Sequence, residues 1–190
     1  MLPRLDVYLR ERILAPLEMK DTQFFLPAAQ KQRLAAVYAS GKDGKYVRAL
    51  EGARGQGHYV DGPRRNFAGG AGLLSTARDY ARFLEAMRRG GSLDGVRILS
   101  PLAVKLMSTN QVGTLHATDG RGFGLGFETV DRFGASGMSH EGAFGWGGAY
   151  GSLYRVDPEA RLTMVLMFQL IPNTTDIRDV FPTLIYQALR

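Results

Sequence analysis

The sequence predicts an α+β fold in which helices pack against an antiparallel sheet. Three helical patterns lie before residue 110, the strand patterns fall in the last third of the chain, and a further helical pattern closes it. That segregation of helices from strands is typical of α+β proteins. The 190 residues, 45% of them apolar, are sufficient for one domain with a core.

The first helix is predicted from apolar residues at helical spacing, and Pro16 is expected to end it. The residues that form this apolar face are Leu5, Leu9, Ile13 and Leu14. Residues 39–65 follow with many glycines and only short strand-like pieces. They predict a long loop, and loops of that length in compact domains are usually functional or mobile.

Two further helices carry start signals. Thr76 with Asp79 three residues later forms a capping box, although Ser75 is an alternative N-cap. The next helix is predicted to begin with Ser100 as N-cap and Pro101 at the first helical position.

The strand patterns begin at residue 122. Alternation of glycine with bulky residues over 122–130 predicts one strand packed closely against another backbone. Residues 145–170 predict a glycine-lined strand, a type I turn with Pro158 at its second position, and a strand from Leu162 to Leu170 that is buried on both faces. So few strands make a thin sheet, and we expect partner strands from elsewhere to extend it.

The closing helix contains Pro182, which we expect in the first turn, where its missing N–H is harmless. This places the predicted helix start near Val180 or Phe181.

Composition excludes several classes of function. The absence of cysteine excludes disulfides, thiolate zinc sites and cysteine nucleophiles. His58, His116 and His140 match no metal-ligand spacing, and no glycine-rich nucleotide motif occurs, so we expect neither a metal nor a cofactor. The net charge of +6 is dispersed among acidic residues, which predicts no nucleic-acid partner.

The chain also lacks membrane-targeting signals. Charges interrupt residues 1–6 before any signal-peptide core forms, and the longest apolar run, residues 162–171, is about half of what a membrane span needs. We expect no membrane span, and the sequence identifies no compartment.

Residues 145–151, Gly-Trp-Gly-Gly-Ala-Tyr-Gly, are the strongest candidate for a site. Glycines here either serve packing or let a ligand approach the backbone, so that N–H groups hold a developing oxyanion. Composition alone leaves both interpretations open. A triad built on Ser139 and His140 is disfavoured, because neighbouring residues of an extended segment point to opposite faces.

Several segments together resemble the serine β-lactamase-like family, which includes penicillin-binding enzymes, class C β-lactamases and family VIII carboxylesterases. The segments that carry the resemblance, in the family's order, are residues 12–22, 69–76, 92–101, 122–127 and 145–158. Glu18 stands where the family usually has glycine. The resemblance implies an incomplete β-lactamase/transpeptidase-like fold spanning residues 1–190, with 1–120 mainly helices and loops and 121–190 the strands and closing helix.

The resemblance also implies acyl transfer on an ester or amide by a serine of a Ser-x-x-Lys motif, with a tyrosine of a Tyr-x-Asn motif. No Ser-x-x-Lys occurs in this sequence. Tyr38-Ala39-Ser40 falls after the region that should follow the tyrosine motif. The family order therefore predicts that nucleophile, lysine and tyrosine all lie upstream of Met1, and that this chain alone is inactive.

What remains is the third family motif, for which two segments compete. Trp146-Gly147-Gly148 matches the esterase form and His140-Glu141-Gly142 the His-x-Gly form. We favour the first, because it leads more directly into the strand that ends at Asp157. In that register the backbone N–H of Ala149 is the oxyanion donor, and His140, Gly142 and Tyr150 are possible substrate-site residues.

Two interpretations of function follow. Completed by an N-terminal segment, the chain supplies one wall of a hydrolase that acts on a small ester or amide. Alternatively it is a non-catalytic binding or scaffold protein that uses the remnant cleft. In either case the incomplete sheet predicts a homodimer or a strand-swapped assembly.

Overall fold

The computed structural model describes residues 3–41, 43–50 and 57–189. Parts of the predicted loop (residues 42 and 51–56) and of the N-terminal segment (residues 1 and 2) lie outside the described residues. The helices are α1 (Leu5–Leu9), continued by a π-helical turn (Arg10–Leu14), a 3₁₀ segment (Ala28–Arg33), α2 (Ala77–Arg88), α3 (Pro101–Met107) and α4 (Ile177–Ala188).

Nine strands form three antiparallel sheets within the described residues. Two are small hairpins, β1 (Tyr38–Ser40) with β2 (Tyr46–Arg48) and β3 (Ser92–Leu93) with β4 (Val96–Arg97). The main sheet has the order β5-β6-β7-β8-β9, in which every strand pairs with its neighbour in sequence. Its strands are β5 (Arg121–Phe123), β6 (Glu128–Val130), β7 (Phe144–Gly147), β8 (Gly151–Asp157) and β9 (Leu162–Gln169).

Helices cover the two faces of the main sheet. Because side chains alternate along a strand, Tyr154 and Val156 of β8 lie on one face and Arg155 and Asp157 on the other. The first pair packs against α2, where Tyr80 and Tyr154 meet edge to face at 5.1 Å. This apolar layer contains Leu84, Met87, Val104, Phe127, Phe144 and Val156. The second pair faces α4, whose Tyr186 donates to Asp157.

The predicted caps of α2 and α3 are confirmed. The Thr76 hydroxyl accepts from the N–H of Asp79 at 3.2 Å, and the Ser100 hydroxyl accepts from the N–H of Ala103 at 3.1 Å. Asp79 does not complete a capping box. Its buried carboxylate accepts from the N–H of Asp21 and the hydroxyl of Thr22 at 2.7 and 2.9 Å, and so fastens the segment after α1 to α2.

Glu18 has a φ of 54°, in the left-handed region that favours glycine. This explains why glycine is the usual residue at this position of the family resembled. Leu17 and Met19 on either side are buried in a second apolar cluster with Leu14, Ala86 and Leu93. The buried neighbours hold the strained residue in place.

The prediction of one strand over 122–130 is wrong. The segment forms a hairpin of β5 and β6, in which the N–H of Gly124 donates to the carbonyl of Phe127 and Gly126 has a φ of 94°. A side chain at Gly124 would overlap the Met107 carbonyl. The glycines thus serve a turn and a close backbone approach, which alternation alone did not reveal.

The prediction that Leu162–Leu170 is buried on both faces is also wrong. Within β9 only Met164 is buried, and Met167 is 38% exposed. The reason is its position, since β9 is the edge strand of the main sheet and, within the described residues, pairs along its length with β8 alone, apart from a bridge between the next residue, Leu170, and Tyr38.

α4 begins earlier than predicted. It starts at Ile177, which places Pro182 at the sixth helical position rather than in the first turn. The Thr183 hydroxyl bonds the carbonyl of Asp179 one turn back at 2.8 Å. The earlier start brings Arg178 onto the helix, next to the β7–β8 turn.

Candidate active site

The candidate motif lies where β7 turns into β8. Phe144 at the start of β7 is buried in the apolar layer, whereas Trp146 is 44% exposed. Phe144 pairs with Val156 and Trp146 with Tyr154. The same short strand therefore leads from the core to the surface.

A tight turn separates the two strands, although the sequence suggested one continuous strand here. The N–H of Gly148 donates to the carbonyl of Ser152 at 2.8 Å, and the N–H of Gly151 donates to the carbonyl of Gly148 at 3.1 Å. Gly151 has a φ of 92°. The turn thus contains Gly148, Ala149 and Tyr150.

Three of the four glycines in residues 145–151 have a packing role. A side chain at Gly145 would overlap the Tyr154 carbonyl, and a methyl at Gly147 would lie 3.0 Å from Nη2 of Arg178. A methyl at Gly151 would lie 2.7 Å from the Phe168 ring. The nearest atom to a methyl at Gly148 is Cβ of Ser152 at 3.4 Å, an ordinary contact.

In the peptide between Gly148 and Ala149, the carbonyl is hydrogen-bonded, whereas the N–H has no partner among the described residues. Nη2 of Arg178 donates to the Gly148 carbonyl, while Nε and Nη2 make longer contacts to the carbonyls of Gly151 (3.3 Å) and Ser152 (3.4 Å). Ala149 is exposed, and its N–H donates to no acceptor among the described residues. This N–H is available to a ligand.

Aromatic rings surround Trp146. Phe123 meets it edge to face at 5.0 Å, and the ring of His116 lies 6.0 Å away. Nε2 of His116 is 3.1 Å from the carboxylate of Glu128, which also contacts Arg121 at 3.3 Å. The half-exposed indole is therefore a rigid apolar surface with charged groups beside it.

A cavity of about 730 Å³ lies beside the motif, on the side of α4. Trp146, Gly147 and Gly148 line it together with Arg155 of β8 and Arg178 of α4. Ala149 is not among the residues that line it.

His140, Asp157 and Tyr186, here called the polar knot, lie at the other end of the β7–β8 hairpin. The buried carboxylate of Asp157 accepts from the Tyr186 hydroxyl at 2.7 Å, the His140 backbone N–H at 3.1 Å and the Ala160 N–H at 2.9 Å. Nδ1 of His140 lies 2.9 Å from the same carboxylate. Each of these groups has its partner within the chain.

The knot changes the pKa of its members. Burial alone would raise the pKa of Asp157, but the donors of Ala160, Tyr186 and His140 outweigh it and lower the pKa below its ordinary value. The hydrogen bond to Asp157 raises the pKa of His140. Burial raises the pKa of the Tyr186 hydroxyl.

Arg155 fixes the neighbouring loop. Its Nη1 donates to the hydroxyls of Ser136 (2.5 Å) and Ser139 (2.8 Å), and burial lowers the pKa of its guanidinium. Its Nε is buried without a hydrogen-bond partner. Ser139 is fully buried and accepts from this arginine, an environment unlike that of an activated nucleophile.

The structure thus separates the two candidate motifs. Trp146, Gly147, Gly148 and Ala149 lie at the turn, whereas His140 and Gly142 lie at the far end of β7, where the Gly142 N–H donates to the Val130 carbonyl. Tyr150 belongs to the turn. Burial, together with the interaction with Tyr150, raises the pKa of Tyr59.

Three sets of contacts around the candidate site were missed from the sequence, those of Arg178, Arg155 and Asp157. Asp157 and Arg155 lie on the same face of β8, which period-two alternation would have indicated. Nothing in the sequence pairs Arg178 with Gly148, thirty residues away.

The described residues contain no group of three or more histidine, cysteine, aspartate or glutamate side chains arranged to hold a metal ion. No described helix is both long and apolar enough to span a membrane.

Comparisons with known proteins give a consistent result. The family model described as Beta-lactamase matches residues 4–182. Protein Rv1367c of Mycobacterium tuberculosis is 36% identical over 179 residues, which cover 86% of this chain and 43% of that protein. Esterase EstB of Burkholderia gladioli is 30% identical over 168 residues, covering 80% of this chain and 41% of that protein.

Among solved structures, EstCE1, described as a hydrolase with promiscuous acyltransferase activity, superposes with a TM-score of 0.76 at 25% identity. The match covers 97% of this chain and 50% of that one. The chain therefore spans half or less of the length of these relatives.

Proposed function

Because the chain belongs to the Beta-lactamase family, we propose that it supplies the third-motif and oxyanion wall of a serine hydrolase that transfers acyl groups from an ester or amide. The esterase form of the motif, Trp146-Gly147-Gly148, favours an ester. The nucleophile, its lysine and the tyrosine come from a region preceding these residues in the family order. On this proposal the chain alone is inactive.

One observation carries the proposal, the peptide between Gly148 and Ala149. Its carbonyl is held by Arg178, Ala149 is an exposed residue, and the N–H of Ala149 has no acceptor among the described residues. A fixed backbone N–H beside a ligand surface is what a developing oxyanion requires. Trp146, half exposed next to it, offers an apolar surface for the substrate.

The edge of the sheet supports the idea of a missing region. β9 lies at the edge of the main sheet, where only the following residue, Leu170, is bridged to Tyr38 of β1 among the described residues, and the EstB and Rv1367c relatives are more than twice as long as the matched segment. We propose that upstream strands pair with β9. Without them, a homodimer or strand swap through β9 is expected, which light scattering would detect; a compact monomer with cooperative unfolding would contradict it.

Activity tests the main proposal. The chain is expressed alone and together with the coding sequence upstream of Met1, in cis or as a separate chain, and assayed with p-nitrophenyl butyrate and nitrocefin. We expect ester hydrolysis only when a Ser-x-x-Lys region is present. An absence of activity with that region present would contradict the proposal. Fluorophosphonate labelling of this chain alone would also contradict it, because the proposal places the activated serine outside this chain.

A non-catalytic binding protein is the second candidate. The observation that favours it is the cavity of about 730 Å³ beside Trp146. This candidate predicts saturable binding of boronic-acid or ester ligands by the chain alone, with no covalent labelling in either form.

A further inference from the structure

Arg178 lies at the first turn of α4 and reaches across to the β7–β8 turn. Its guanidinium contacts three carbonyl oxygens there, those of Gly148, Gly151 and Ser152. Gly147 leaves the space that the guanidinium occupies, since a methyl at this residue would lie 3.0 Å from Nη2 and 3.2 Å from Cζ. The absence of a side chain at Gly147 is thus explained by the arginine and not by a ligand.

The geometry of the peptide bond connects this contact to the candidate oxyanion donor. The carbonyl of Gly148 and the N–H of Ala149 belong to the same planar trans peptide, so they point in opposite directions. Arg178 binds the carbonyl from the α4 side. The N–H of Ala149 must therefore point away from α4, where Ala149 is exposed.

The contact also acts electronically. A hydrogen bond from a charged guanidinium is stronger than one between neutral groups, and hydrogen bonds in series polarise each other. The positive charge of the guanidinium, placed beside the carbonyl oxygen, draws electron density from the peptide toward that oxygen. The N–H at the opposite end becomes a better donor to a negatively charged oxygen.

We propose that Arg178 is a positioning residue for acyl transfer, which fixes and polarises the Gly148–Ala149 peptide so that the Ala149 N–H faces the oxyanion. This inference rests on the proposed function. Arg178 acts through the backbone, so its loss should lower kcat and leave KM nearly unchanged.

The test uses the protein together with its upstream region and compares Arg178→Ala, Arg178→Lys and a control, Arg89→Ala. Arg89 is an exposed arginine that does not line the cavity and donates to Glu85 within α2. Removal of one oxyanion donor typically lowers kcat about 10²–10³-fold. Because misorientation is a partial loss, we expect about 10–100-fold for Arg178→Ala with KM for p-nitrophenyl butyrate changed by less than about threefold.

Rescue experiments separate positioning from general support of the fold. We expect millimolar guanidinium to restore part of kcat in Arg178→Ala and to have no effect on Arg89→Ala. Arg178→Lys should be intermediate, because an ammonium restores the charge but not the planar fork. Gly147→Ala keeps Arg178 in the chain but pushes its guanidinium away from the turn. This variant should reproduce the fall in kcat even if Arg178→Ala fails to fold.

Two kinetic outcomes overturn the inference. One is an unchanged kcat in folded Arg178→Ala. The other is a raised KM with unchanged kcat, which would mean that Arg178 binds substrate directly.

Amide hydrogen exchange keeps this inference distinguishable from the proposed function. Exchange over residues 147–152 should be faster in Arg178→Ala than in the wild-type protein, whether or not the protein is active. Equal exchange would show that Arg178 does not hold the β7–β8 turn in place. An inactive wild-type protein with a correct Ser-x-x-Lys region refutes the proposed function, and with it the catalytic role of Arg178.

Discussion

The two ends of the β7–β8 hairpin differ in how completely their polar groups are satisfied. At the polar knot, the carboxylate of Asp157 is fully buried and surrounded by donors. At the turn, Trp146 is half exposed and the N–H of Ala149 has no acceptor among the described residues. Buried polar groups in proteins are almost always paired, so the knot stabilises the fold, whereas the turn leaves a donor without an acceptor among the described residues.

The largest expected effect comes from truncating two aromatic residues of the same strand. Phe144→Ala should lower the free energy of unfolding by about 3–5 kcal/mol, because it leaves a cavity in the buried layer. Trp146→Ala should lower it by only about 1 kcal/mol, since the indole is half exposed and loses chiefly its contact with Phe123. Urea unfolding measures both, and equal losses would mean that the turn end is as much a part of the core as Phe144.

A pair of glycine substitutions probes the turn itself. Gly151→Ala should cost about 1–3 kcal/mol, because its φ of 92° is strained for alanine and the methyl meets Phe168. Gly148→Ala should change stability by less than about 0.5 kcal/mol, because the nearest atom allows an ordinary contact. Thermal unfolding of the two variants compares them, and a Gly148→Ala variant as unstable as Gly151→Ala would contradict the assignment of an open position.

The smallest expected effect is the pH dependence of the knot. The folded pKa of His140 is raised, so its contribution is complete below the unfolded pKa of about 6.5 and is lost as pH rises through the folded value. The folded pKa of Asp157 is lowered, so its contribution is present above about pH 3.9 and is lost as pH falls through the folded value. The knot is therefore most stabilising between about pH 4 and 6.5.

Comparison of wild type with His140→Asn checks this window, because asparagine keeps a neutral donor but not the charge. We expect the difference in unfolding free energy between the two proteins to shrink from pH 6 to pH 9. A constant difference across that range would show that folding does not raise the pKa of His140.

Local signals predicted the helices well. Thr76 and Ser100 cap α2 and α3 as expected, because an N-cap depends on residues within one turn of it. The β-lactamase-like fold was also predicted, since its segments keep their order along the chain. The π-helical turn after α1 and the early start of α4 were not predicted, because both depend on packing rather than on local pattern.

The sequence by itself determined the α+β class, the family, the absence of a Ser-x-x-Lys motif and the glycine-rich segment around Trp146. Only the tertiary structure decided what each glycine does. The sequence does not distinguish a glycine required by a turn from one that makes room for an arginine or for a ligand. It also decided that β9 is an edge strand and that Arg178 meets the carbonyl of Gly148. Contacts between residues thirty positions apart arise from how helices and strands pack, and no local pattern encodes them.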